Sequence, residues 1–128
     1  MADNLSNTAE NLLMDWLNGV GTPTRPTTPL KVALLTAIGD DATAGTEVAG
    51  GAYTRQSLAV AAAAGGATTN SADLLWTGMP ACTIVGWEIW DNASTPVRLW
   101  YGPLDASQTL PAGSEFKITA GGFGLSIS

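Results

Sequence analysis

The chain has 128 residues, enough for one domain with a core of its own. Apolar residues make up 45% of it and charged residues only 12%, about half the share usual in soluble domains. The net charge of −6 would repel polyanions, which excludes a dedicated nucleic-acid binder and an anionic membrane surface as partners.

Residues 5–17 are expected to form an amphipathic helix. Leu5, Ala9, Leu12, Leu13, Trp16 and Leu17 recur at the spacing that lines one helix face. Ser6 or Asn7 can cap its start, Glu10 follows Asn7 by three positions as in a capping box, and Asn18-Gly19 supplies a left-handed stop. The opening MADNLSNTAENLL has neither the basic nor the apolar region of a secretory leader, so synthesis in a cytoplasm is expected. No run of about 20 apolar residues is present, so no transmembrane helix is expected. GVGTPTRPTTP (19–29) reads as a stiff, extended connector. Residues 1–29 are therefore taken as an arm, and Leu12, Leu13 and Trp16 either pack on their own domain or dock on another subunit.

From residue 30 the apolar period becomes two. LKVALLT (30–36), YTRQSLAV (53–60), DLLW (73–76), TIVGWEIWD (83–91), VRLWYG (97–102), EFKIT (115–119) and FGLSIS (123–128) read as strands. Turn-forming clusters separate them: GDDATAGTEVAGG, AAGGATTNS, DNASTP and DASQTLPAGS. AVAAAAGGA (59–67) is expected to be a hairpin of small residues. The pattern predicts a mainly β fold, an antiparallel β-sandwich of jelly-roll type over residues 30–128, preceded by one amphipathic helix.

TEVAGGAYTRQSLAV (46–60) has the glycine spacing of a phosphate-binding loop. Gly51, however, stands where the lysine belongs, and a period of two follows instead of a helix. Gly50 and Gly51 are better explained by a turn needing positive φ or close backbone approach, with Glu47 and Arg55 paired across it. Glu47, Gly50, Gly51, Tyr53 and Arg55 together form a turn or assembly motif. Whether Tyr53 and Arg55 face their own domain or a neighbour stays open.

Histidine is absent, and with it the commonest general base and metal ligand. Cys82 is the single cysteine, expected to be a small buried apolar residue. Asp40 and Asp41 lie in a loop suited to Asx turns, and Glu88, Asp91 and Asp105 form no recognisable acid–base pair. No catalytic residue, metal site or cofactor is expected. Trp76, Trp87, Trp90, Trp100 and Tyr101 crowd into one region. Alternation places Val85, Trp87 and Ile89 in the core and Glu88 and Trp90 on the opposite face. It likewise sets Val97, Leu99 and Tyr101 opposite Arg98 and Trp100. Trp90 and Trp100 are expected to be cross-strand neighbours which, with Glu88 and Arg98, make a patch suited to a subunit interface. Sugar stacking on the same tryptophans is the alternative.

TEVAGGAYTRQ (46–56), preceded by LKVALLT and an acidic loop, resembles a family of small tailed-bacteriophage structural proteins described as head-decoration or tail-fibre proteins. NTAENLLMDWLNG, TPTRPTTP, NSADLLWTGMP, IVGWEIWDNASTPVRLWYGPL and LPAGSEFKITAGGFGLSIS follow the family pattern in order, so the resemblance spans nearly the whole chain. It implies a structural role in the virion, synthesis in the host bacterial cytoplasm, and neither enzyme activity nor cofactor. The expected assembly is a homo-oligomer, a trimer, bound to the major capsid protein or other virion proteins. A compact chain can cap a shell, whereas a fibre usually needs a shaft, so an outer-capsid decoration (cement) protein is expected. The alternatives are a tail-fibre or baseplate structural protein, and a carbohydrate-binding adhesion module.

Overall fold

The structure, a computed structural model, describes residues 4–127. The chain first runs extended along the edge of a strand. Leu5 bridges Trp100 antiparallel, Ser6 N–H donates to the Leu99 carbonyl at 2.9 Å, and Tyr101 N–H donates to the Asn4 carbonyl at 3.0 Å. Helix α1 (Asn7–Asn18) begins only where the chain leaves that edge. Ser6 is the cap: its Oγ accepts from Ala9 N–H at 3.2 Å and donates to the Arg98 carbonyl at 2.7 Å. Glu10 therefore falls one position too late for the expected capping box, because the strand bridge fixes Leu5 outside the helix. Gly19 ends α1 with φ 70°, as Asn18-Gly19 predicts.

Nine strands follow among the described residues: β1 (Leu30–Ala37), β2 (Thr46–Glu47), β3 (Gln56–Leu58), β4 (Ala67–Thr69), β5 (Leu74–Met79), β6 (Cys82–Trp90), β7 (Arg98–Leu110), β8 (Ser114–Ile118) and β9 (Gly124–Ser126). A five-stranded sheet runs β2–β1–β6–β7, with β3 also paired to β1. Since β6 takes one edge of β1, β2 and β3 divide the other. The pairs β5–β8 and β4–β9 form the facing layer, and all pairings are antiparallel. Between the layers, Val32, Leu34, Ile84, Trp87 and Ile89 meet Leu74, Trp76, Met79, Phe123 and Leu125. Trp87 meets Phe123 edge-on at 4.6 Å between ring centres. Each such side chain contributes roughly 1.5–3 kcal/mol on burial. The fold is mainly β, antiparallel and layered as a sandwich with one helix, as the alternation predicts.

Several strand boundaries differ from expectation: β5 continues past Trp76 to Met79, and β2 and β4 lie in segments foreseen as turns. The strand foreseen over 53–60 shrinks to Gln56–Leu58, because residues 48–55 leave the sheet in a loop. Conversely, β7 runs to Leu110 and absorbs much of the foreseen DASQTLPAGS turn. Its polar end pairs with the start of β6, Thr83 opposite Thr109 and Ile84 opposite Gln108. Cys82, expected to be buried, is half-buried at the start of β6.

The outer face of the large sheet is covered as well. Ala33, Leu35 and Glu88 are buried there, beneath the loop over 38–45. Gly45 and Gly86 permit this approach: a Cβ on Gly45 would lie 2.3 Å from the Ala37 carbonyl, and one on Gly86 2.8 Å from the Ile38 side chain.

Candidate functional site

The turn motif closes on itself. Glu47 ends β2, and its carboxylate accepts from Arg55 Nε at 3.0 Å, Arg55 Nη2 at 2.9 Å and the Tyr53 hydroxyl at 2.7 Å. Tyr53 in turn accepts from Leu34 N–H at 2.9 Å. That amide lies in the gap where β2 has ended and β3 has not begun, so the phenol supplies the acceptor a neighbouring strand would have given. Burial and the Glu47 hydrogen bond push the Tyr53 hydroxyl pKa up. The bond to Glu47 raises that of Arg55. Gly50 and Gly51 have φ of 106° and 55°, and a Cβ on Gly51 would stand 2.6 Å from the Gly78 carbonyl. Both reasons offered for the glycine pair hold, positive φ and close approach. Tyr53 and Arg55 face their own domain.

The tryptophan patch is organised differently from the sequence expectation. β6 and β7 change register between Ile89 and Trp90, so Trp90 pairs with Arg98 whereas Ile89 pairs with Trp100. This bulge turns Trp100 away from Trp90, and it packs against the core. Leu99 packs under α1 with Leu5 and Ala9, and Tyr101 joins the Arg98 side, so the expected trio Val97, Leu99 and Tyr101 does not share one face. Glu88 and Arg98 are not surface charges. They are 1% and 8% exposed and form an ion pair at 3.4 Å. Glu88 also accepts from Gly45 N–H at 2.7 Å and from Trp90 Nε1 at 3.2 Å. Arg98 donates to the Asp40 carbonyl, and its guanidinium carbon stands 4.9 Å from the centre of the Tyr101 ring. The pair is buried because the loop over 38–45 folds across it, a long-range closure that alternation within two strands does not reveal. Trp90 is half-buried, with Arg55 over its ring.

Around this centre the acidic loop behaves as an Asx turn. Asp40 Oδ1 accepts from Ala42 N–H at 2.9 Å and Thr43 N–H at 2.7 Å, which hold its carboxyl below the usual range. The Tyr101 hydroxyl donates to Asp41, and this bond with some burial pushes its pKa up to about 12. Two anchors escaped sequence reasoning. Asp91 accepts from Val97 N–H at 2.8 Å and Thr27 N–H at 3.4 Å, tying the proline-rich connector to the β6–β7 turn. Asn70, 2% exposed, donates to the Ala72 and Thr119 carbonyls and accepts from Phe123 N–H. Asp91 precedes a turn ending in proline, which was its available signal; Asn70 had only a polar cluster around it.

What remains open is the helix face. Ala9 is buried and Leu13 half-buried against β7, but Trp16 and Leu17 are 66% and 68% exposed. Leu12, Leu13 and Trp16 line one wall of a groove of about 540 Å³, with Pro23, Pro26, Leu30, Trp100 and Ile127 opposite. Of the interface residues expected from sequence, Leu12, Leu13, Trp16 and Trp100 therefore meet at one surface. Glu88, Trp90 and Arg98 belong to the covered ion-pair cluster.

Residues 4–126 match the family described as "Podophage GP4 fiber I protein gp80". The chain belongs to this family. It is thus a member of a family of phage virion structural proteins. The podophage fiber I match begins at the strand bridge of Asn4–Ser6 and ends with β9, so it takes in α1, both sheet layers and all of the helix groove but Ile127. No curated protein matches the chain.

Proposed function

We propose that the chain is a structural subunit of a podophage fibre that works by binding other virion proteins and copies of itself, not by turnover. The observation that carries this reading is the family match over residues 4–126, whose description is of a fibre protein. Of the virion positions expected from sequence, the tail fibre has that support, and the capsid decoration role is the position against which it is tested. The chemistry agrees with binding. The chain has no histidine, and its buried carboxylates Glu88 and Asp91 are engaged by structural donors. The paired tryptophan platform on which the sugar-stacking alternative rested is not formed, since Arg55 stands over the Trp90 ring and the half-buried Trp100 pairs with Ile89. Immunogold labelling of intact virions tests the reading: gold on the fibres is expected, and gold spread over the capsid shell would overturn it in favour of a decoration protein.

A further inference from the structure

We propose that the α1 groove is a self-association site, in which two copies of this chain pack about a two-fold axis with Trp16 of each seated in the groove of the other. The proposal deepens the self-binding part of the function above and does not depend on whether the virion position is fibre or capsid.

The end of α1 is apolar and open. Met14, Trp16, Leu17 and Val20 are 58%, 66%, 68% and 56% exposed, and Ile127 at the far wall is 44% exposed. Of these, Trp16 and Ile127 line the groove itself, while Met14, Leu17 and Val20 lie outside its lining. A 12-residue helix whose last turns expose Met14, Trp16 and Leu17 has no partner for these apolar side chains among the described residues. The projecting residue and the cavity that accepts it are neighbours, since Trp16 lines the same groove as Leu30 and Trp100. A knob beside its own hole suits an isologous contact. A ring would require the two on separate surfaces, so this surface points to a pair and not to the trimer expected from sequence.

The groove also carries charge. Arg25 lines the groove and, among the described residues, is the basic side chain with neither ion pair nor hydrogen bond. Asp15 stands next to Trp16 on α1 with its carboxylate likewise unpaired. In a chain of net charge −6, copies repel unless cations are placed at the contact. The two-fold brings Arg25 of one copy to the Asp15 rim of the other and answers that repulsion where it matters.

Sedimentation velocity of the full chain over a concentration series tests this. The expected species is a dimer. Trp16→Ala should raise its dissociation constant at least about tenfold, as for a central aromatic anchor, with an unchanged urea midpoint at protein concentrations below that constant, because Trp16 packs little on its own domain. Arg25→Glu should weaken the dimer, and Arg25→Glu combined with Asp15→Arg should restore most of the loss, a rescue that damage to folding cannot produce. A monomer at all concentrations, a species with an odd number of subunits, or a dimer indifferent to Trp16→Ala and to the charge exchange would each overturn the proposal. None of these results bears on the immunogold outcome.

Discussion

Arg55 lies with its guanidinium carbon 4.6 Å from the centre of the Trp90 ring while its Nε and Nη2 hold the two oxygens of Glu47. One side chain thereby joins β2, the glycine turn and the end of β6. A lysine can supply the charge but not the planar fork or the stacked face. Arg55→Lys should cost about 1 kcal/mol in urea unfolding. Tyr53→Phe should cost about 1–3 kcal/mol, since it leaves Leu34 N–H, on a residue with 0% exposure, without its acceptor. If both variants unfold like the parent, the motif is not what closes this sheet edge.

The Glu88–Arg98 pair should behave as a buried ion pair does. Removing one partner leaves an uncompensated charge under the loop over 38–45, so Glu88→Leu or Arg98→Met alone should cost about 3–5 kcal/mol. The double variant Glu88→Leu/Arg98→Met should recover part of that loss, since it leaves no buried charge, while Gly45 N–H, Trp90 Nε1–H and the Asp40 carbonyl lose their partners. Denaturant midpoints for the two single variants and the double variant give the coupling. Additive losses would mean that the two residues do not act on each other.

Asn70 satisfies three backbone groups of separate segments from one buried amide. Asn70→Ala removes both donors and the acceptor, and should cost about 2–4 kcal/mol. The effect should appear first as faster amide exchange at Phe123, whose N–H loses its acceptor. Unchanged exchange there would contradict the role assigned to Asn70.

Stability should fall at both ends of the pH range. Asp40 is held below its ordinary value of 3.8 by the Thr43 and Ala42 amides, and Asp73 is likewise lowered, first by the Ala120 amide. A depressed carboxyl pKa stabilises the fold above the unfolded value, and that contribution is lost as pH drops below about 4. Tyr101 has the opposite sign. Its neutral hydroxyl donates to Asp41, its pKa rises from 10.0 to about 12, and the contribution present below 10 disappears as pH rises through that interval. The phenolate absorbance of the Tyr53→Phe variant, in which Tyr101 is the remaining tyrosine, should therefore titrate near 12 while the protein stays folded. Titration near the ordinary value of 10 would remove the Asp41 bond from this account.

Local signals were legible where the physics is local. The i, i+3, i+4 stripe and Gly19 marked α1, alternation marked β1 and most of β6, and the Glu47–Arg55 pairing followed from a short turn. The failures all came from contacts distant in sequence. Nothing within 97–102 shows that β7 slips register at Trp90, because the slip follows from how Leu99 is drawn under α1 while Arg98 reaches Glu88. Glu88 read as exposed because its cover comes from Gly45, 43 positions away. Of the two caps offered by the sequence, Ser6 and Asn7, the structure takes Ser6, because Leu5 is committed to Trp100. The helix face was visible as apolar from the start, but its division into a packed half and an open half required the fold.

The central claim is that this chain is a fibre subunit of a podophage particle, and cryo-electron microscopy of the parent virion tests it most directly. The account predicts density for the β-sandwich in the fibres, fitted with α1 against a neighbouring protein chain. Density for the sandwich on the capsid shell, with none in the fibres, would contradict it.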